Sequence, residues 1–133
     1  METAAAIAEQ SQLAIKLEIG LSEWLNTEWF PGPPELVPPA DLVRRYPQVD
    51  PAYQSRGGAR YGESGTAALQ RSGDTARKLA AEFDGNLVMV GHGASVLGAM
   101  TALLKIAPED AVDPGYGCVI GLVQHGDRWS AKT

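Results

Sequence analysis

The hydrophobic pattern of residues 87–104 predicts the element around which the chain is organised. Leu87–Val90 are four consecutive apolar residues, which is too short for an isolated helix and typical of a strand buried on both faces. A Gly-His-Gly motif centred on His92 interrupts this run, and apolar residues then recur at helical spacing. Ser95 is a candidate N-cap of that helix. The pattern therefore places His92 at the carboxyl end of a strand, where open α/β sheets bind ligands.

The N-terminal part of the chain has a weaker pattern. The Ala-rich stretch Thr3–Gln12 predicts a helix, and Leu13–Glu18 alternates as in a short strand. Ser22 is placed to cap a short helix that carries Glu23. Phe30–Pro39 contains five prolines, which exclude regular structure.

The remaining segments complete an α/β pattern. Asp41–Tyr46 is long enough for one or two helical turns, Pro47–Gly65 is irregular, and the apolar period of Glu63–Phe83 predicts a helix. Cys118–Gln124 and Arg128–Ala131 read as strands joined by a two-residue Gly-Asp turn. Helices that alternate with strands, closed by a hairpin, are typical of an α/β fold, and the length favours one domain over residues 1–133.

Composition and charge narrow the possible functions. The net charge is −5, with eleven basic and sixteen acidic residues, which argues against nucleic acid as a partner. No apolar run approaches the ~20 residues that span a bilayer, and the first residues lack the features of a signal peptide. The single cysteine excludes an internal disulfide. These features indicate a soluble protein of unspecified compartment, and its motifs imply neither a metal nor a cofactor.

The motif around His92 has three possible interpretations. A hydrolase nucleophile elbow, Gly-x-Ser-x-Gly, is rejected because Gly93 stands where the serine is required. A dinucleotide fingerprint, Gly-x-Gly-x-x-Gly, matches weakly because Val96 occupies the position of the third glycine. The third interpretation is a histidine phosphatase.

A strand, then Gly-His-Gly, then an apolar helix resembles the second-histidine motif of the phosphoglycerate mutase-like histidine phosphatase superfamily. Met1–Glu9 resembles that family's helix beginning Gln-Thr-Ala, and Leu17–Leu25 resembles its segment with an acidic residue. Val37–Leu42 and the helix start at Glu63-Ser64 resemble the branch of the suppressor-of-T-cell-receptor-signalling phosphatases. The resemblance covers nearly the whole chain, but only about the later two-thirds of the family domain.

The resemblance implies a phosphoglycerate mutase-like sheet with helices on both faces, truncated at the N-terminus. In the family, an Arg-His-Gly motif on the first strand supplies the histidine that becomes phosphorylated. The two histidines of this chain lie in Gly-His-Gly and Gln-His-Gly, so that motif is absent from the sequence. Because covalent phosphoryl transfer requires its nucleophile, the chain by itself is expected to be an incomplete, inactive domain.

The resemblance also assigns roles to individual residues. His92 would donate to phosphoryl oxygens beside the backbone N–H of Gly93, and Glu23 would protonate the leaving oxygen. Glu18 and Glu28 are nearby acids that compete with Glu23 for this role. Structural alternatives stay open for both main residues: His92 would satisfy backbone groups at a tight turn, and Glu23 would interact with a helix dipole.

Arg56 and Arg60 are further candidates to bind a phosphate, with a solvated loop as the alternative. His125 is expected to be a solvated hairpin residue. Trp24, Trp29 and Phe30 are expected to pack the Pro-rich loop rather than to stack on a ligand.

A truncated N-terminus would leave one edge of the sheet open to a partner chain. Without the strand that bears the nucleophile, Leu87–Val90 would be an apolar sheet edge, which invites pairing with another chain. We expect this edge to be covered by another polypeptide, by a rearranged strand of this chain or by a separate N-terminal piece. Two functions follow. One is a non-catalytic subunit of a larger assembly, and the other is the later part of a phosphomonoesterase that acts on a phosphorylated substrate once its N-terminal part is supplied.

Overall fold

A computed structural model describes residues 1–132. The regular elements in this range are α1 (Glu2–Ser11), α2 (Pro39–Arg45), α3 (Gly65–Glu82), α4 (Gly93–Leu104), β1 (Leu122–His125) and β2 (Arg128–Ala131), with short 3₁₀ turns at Ile19–Leu21 and Pro108–Asp110. The predicted α/β class is confirmed.

Helices α3 and α4 pack closely because small residues line their crossing. A Cβ added at Gly73 would lie 2.6 Å from Ala102 Cβ, and one added at Gly98 would lie 2.5 Å from the carbonyl oxygen of Leu69 and overlap the Ser72 hydroxyl. Ser72 is fully buried and donates to the carbonyl of Ala68 within α3. The backbones of the two helices therefore touch almost directly. This contact fixes the position of α3 relative to α4, and with it the positions of the residues on both helices.

The N-terminal helix belongs to a second, smaller core. Ala8 packs with Ile15 and Val49, and all three side chains are buried. Ile15 forms an isolated parallel bridge with Val49, in which Ile15 N–H donates to Gln48 and Asp50 N–H donates to Ile15. The predicted strand over Leu13–Glu18 is therefore wrong in extent, because Ile15 is the one residue of it that forms a β-bridge.

The predicted hairpin is confirmed. Strands β1 and β2 are antiparallel, with His125 opposite Arg128, and the Gly126-Asp127 turn uses a positive φ at Gly126. The first strand begins at Leu122, later than the sequence predicts. Within the described residues this hairpin is the whole sheet.

The predicted buried strand at Leu87–Val90 is wrong. The segment has no strand assignment, and no backbone hydrogen bond joins it to another described residue. Leu87, Val88 and Val90 are 40%, 64% and 38% exposed. The physical reason is that a strand exists only where a neighbour supplies hydrogen-bond partners on at least one side. Among residues 1–132, no rearranged strand of this chain covers the segment.

Candidate active site

The two residues that the sequence assigns to catalysis lie in contact. Glu23 Oε2 is 3.2 Å from His92 Nδ1, although the residues are far apart in the chain. Their side chains are 29% and 56% exposed, so the pair is open to solvent. A protonated His92 would form an ion pair with the carboxylate, and Nε2 is the ring nitrogen that this contact leaves unengaged.

His92 is held at the start of α4. It is the N-cap residue, and its backbone N–H donates to the Ser95 hydroxyl at 2.9 Å. Ser95 was expected at the N-cap and instead lies inside the first turn, where its side chain reaches back to His92. Gly93 is the first residue of α4, so its N–H has no acceptor within the helix. A ring nitrogen and unpaired helix N–H groups at one point favour an anion.

The carboxylate of Glu18, one of the two competing acids, already has hydrogen-bond partners. It accepts five hydrogen bonds, from Gly20 N–H, Tyr53 OH, Ser55 OH, Arg56 N–H and Gly57 N–H. Burial raises the pKa of Glu18, but these hydrogen bonds outweigh it and hold the pKa below its usual value of 4.5. Burial and the bond to Glu18 in turn raise the pKa of Tyr53 to about 12. Glu18 therefore anchors the irregular loop, and Glu23 is the acid beside His92.

The segment that carries Glu23 is not the predicted short helix. Residues 22–30 contain a bend at Ser22 and a turn at residues 27–29, and the rest of this range, including Glu23, has no regular structure. The Asn26 side chain accepts from the backbone N–H groups of Glu28 and Trp29, at 3.0 and 2.9 Å. Such local side-chain bonds compete with helix formation, which explains the incorrect prediction. The position of Glu23 consequently depends on tertiary contacts.

Arg71 supplies most of those contacts and was missed by the sequence reasoning. Its guanidinium forms a bidentate pair with the Glu63 carboxylate, with two hydrogen bonds of 3.0 and 2.5 Å. It also donates to three successive parts of the Glu23 segment: the carbonyls of Gly20, Ser22 and Glu23, at 2.9, 3.3 and 3.2 Å. The side chains of Arg71 and Glu63 are only 11% and 6% exposed. An arginine on a predicted helix carries no sequence signal for such a role.

A comparison with models of known protein families identifies the family of this chain. Residues 1–133 match the family model of the histidine phosphatase superfamily (branch 1). The chain belongs to this family. No curated protein matches it. As a histidine phosphatase-family chain, it carries its Gly-His-Gly motif at the start of α4, beside an acidic residue.

Two arginines are the other predicted phosphate contacts of this histidine phosphatase-family chain. Arg56 is bonded through two nitrogens to Glu82, the last residue of α3, and Arg60 is exposed in its loop. His125 is exposed beside the hairpin turn, as expected.

The three aromatic residues differ in how much of each side chain is exposed. Trp24 donates from its indole to the carbonyl of Glu63 at 2.8 Å and contacts Trp29 edge-on, while Trp29 itself is 62% exposed. Leu36 and Val37 of the Pro-rich loop are also exposed, whereas Phe30 is half-buried and its carbonyl accepts from the Tyr61 hydroxyl. Trp24 and Phe30 are therefore partly packed, whereas Trp29 lies mainly on the surface, contrary to the expectation for that residue.

Two general findings concern residues 1–132. No group of three or more His, Cys, Asp or Glu side chains in this range could hold a metal ion. None of the helices described here combines the length and apolar character that a bilayer crossing needs.

Proposed function

We propose that this chain is a non-catalytic member of the histidine phosphatase superfamily that serves as a structural or interaction subunit of a larger assembly. The observation that carries the proposal is the composition of the site. The pair of His92 and Glu23 is present, but neither histidine of the sequence lies in an Arg-His-Gly motif. A phosphohistidine cannot form without its nucleophile, whatever the stabilisation around it.

The proposed site is the supporting half of a phosphatase. His92 and the N–H of Gly93 would contact phosphoryl oxygens, and Glu23 would deliver a proton to the leaving oxygen. These groups bind and protonate, and none of them attacks phosphorus. Anion binding without turnover is what this arrangement offers.

The exposed segment Leu87–Val90 supports the interaction role. It lies beside a groove of about 710 Å³ whose apolar lining includes Leu87, Met89, Val96, Met100, Ile120 and Leu122. Apolar side chains and unpaired backbone groups together suit an extended segment of another polypeptide, which would add hydrogen bonds along the chain and side chains to the groove.

The purified chain is expected to hydrolyse para-nitrophenyl phosphate no faster than its His92→Ala variant, because the nucleophile is missing. The measurement is release of nitrophenol at matched protein concentration. His125→Ala is the matched control, since it removes the other histidine at an exposed position. Turnover that His92→Ala abolishes and His125→Ala preserves would contradict the proposed function.

The partner is tested at the exposed segment. In extracts of cells that produce it, the chain is expected to elute well above the mass of a 133-residue monomer. The Leu87→Lys variant is expected to elute as a monomer, because Leu87 lines the groove and its charged replacement would be buried at the interface. Val112→Lys is the control, at a valine that is 74% exposed outside the segment. A wild-type chain that elutes as a monomer argues against the subunit role.

A second candidate is the later part of an active phosphomonoesterase whose phosphohistidine is supplied by a separate N-terminal segment. The contact between Glu23 and His92 favours it, because the contact brings the proposed proton donor and the proposed phosphate ligand together. An in-frame Arg-His-Gly upstream of Met1 in the genomic sequence, together with turnover by the joined chain, distinguishes this candidate from the first.

A further inference from the structure

We propose that Arg71, held by Glu63, is a positioning residue that fixes Glu23 against His92. This inference rests on the proposed function, in which Glu23 and His92 form the inherited half of a phosphatase site. Arg71 acts through the backbone of the Glu23 segment and touches neither the Glu23 carboxylate nor His92 in the described contacts.

The first support is the completeness of the Arg71 bonding. A guanidinium has five N–H groups, and its nitrogens make five hydrogen bonds, two to Glu63 and three to carbonyls of the Glu23 segment. The arginine is nearly buried, so an unmade bond would leave a charged donor without a partner. Any displacement of the Glu23 backbone would break at least one of these bonds.

The second support is that no regular secondary structure holds Glu23 in place. Its segment has neither helix nor strand, so no ladder of backbone bonds fixes it. Besides Arg71, the bond from the Trp24 indole to the carbonyl of Glu63 ties the residue after Glu23 to the same place. The N–H of Gly62 also donates to the carbonyl of Leu25 at 2.7 Å, so these attachments of the Glu23 segment converge just before the first turn of α3.

The third support is the path from Arg71 to His92. Arg71 belongs to α3, and His92 caps α4. The close crossing at Gly73 and Gly98 holds these two helices in one fixed relation. Glu23 is thus attached to one helix and faces a histidine on the other, and Arg71 is the attachment.

Lysine could not take this role. A lysine ammonium is a compact charge with three donors. The planar guanidinium of Arg71 instead binds one carboxylate through two nitrogens and also donates to three carbonyls. The geometry therefore calls for arginine specifically, which separates a positioning role from a simple need for positive charge.

The test follows the His92 side chain by its ¹H and ¹⁵N chemical shifts at fixed pH. Glu23→Gln, which removes the charge beside the ring, sets the size and direction of the shift change. Arg71→Gln is expected to move the His92 signals in the same direction, and the Glu23→Gln/Arg71→Gln variant is expected to show no further change. Arg71→Lys is expected to behave as Arg71→Gln does.

The matched control is Arg56→Gln, which breaks the bidentate pair of Arg56 with Glu82 at the end of α3 and is expected to leave the His92 signals unchanged. Glu63→Gln/Arg71→Met removes both buried charges, keeps the fold and gives the same readout if Arg71→Gln fails to fold. The inference is overturned if the folded Arg71 variants show wild-type His92 signals, or if Glu23→Gln leaves those signals unmoved. Because no turnover is needed, an active wild-type chain would overturn the proposed function and leave this inference standing.

Discussion

The Arg71→Gln variant is expected to lose about 3–5 kcal/mol of unfolding free energy, which is the usual cost of removing one partner from a buried ion pair. The Glu63 carboxylate, 6% exposed, would remain without its charged partner, and three backbone carbonyls would lose donors. Urea-induced unfolding, followed by the fluorescence of the three tryptophans, measures the loss.

Two further variants separate the causes. In Glu63→Gln/Arg71→Met no charge is left buried, so this variant is expected to be more stable than Arg71→Gln. Arg56→Gln is the matched control, and it is expected to cost much less because solvent screens the Arg56–Glu82 pair, which is more than one-third exposed. Equal losses in Arg71→Gln and Arg56→Gln would refute the structural importance of the Arg71 pair.

Gly98→Ala is expected to lower the unfolding free energy by about 1–3 kcal/mol, the usual cost of overpacking a close contact. The added methyl would lie 2.5 Å from the carbonyl oxygen of Leu69, which is backbone and cannot rotate away. Helix propensity alone predicts the opposite sign, a gain of roughly 0.5–1 kcal/mol for alanine over glycine. Thermal and urea unfolding therefore decide between packing and propensity by the sign of the change.

The control for this prediction is Gly93→Ala in the same helix. A methyl at Gly93 would come no closer than 4.0 Å to the carbonyl oxygen of Pro114, so it meets no steric conflict. Its stability is expected to match or exceed that of the wild type. If Gly98→Ala is also at least as stable as the wild type, the helices do not cross as closely as described.

The elements that the sequence predicted well are those whose signals are local. The long helix α3 follows from its apolar period, and in the structure the Ser64 hydroxyl caps it by accepting from Ala67 N–H. The hairpin follows from its Gly-Asp turn, and Asp41–Tyr46 gave most of α2. Membership of the superfamily was predicted from Gly-His-Gly and the segments around it, and the match over residues 1–133 confirms it, while the finer branch stays a prediction.

The two main residues of the candidate site could be predicted from the sequence, but the residue that holds them in position could not. The identities of Glu23 and His92 came from motif resemblance, and the structure places them in contact. Their catalytic roles remain predictions. Arg71 was not predicted because its partners are the carbonyls of residues distant in sequence, and a carbonyl carries no sequence signature.

By itself the sequence determined which residues are available for chemistry and which segments form helices, because helical bonds and turns are made between near neighbours in the chain. Only the tertiary structure decided whether Leu87–Val90 forms a strand. An apolar run becomes a strand when another segment supplies its hydrogen bonds, and within residues 1–132 none does, so the run stays irregular and largely exposed. The tertiary structure also decided that Glu23 faces His92, because that contact depends on Arg71 and on the crossing of two helices.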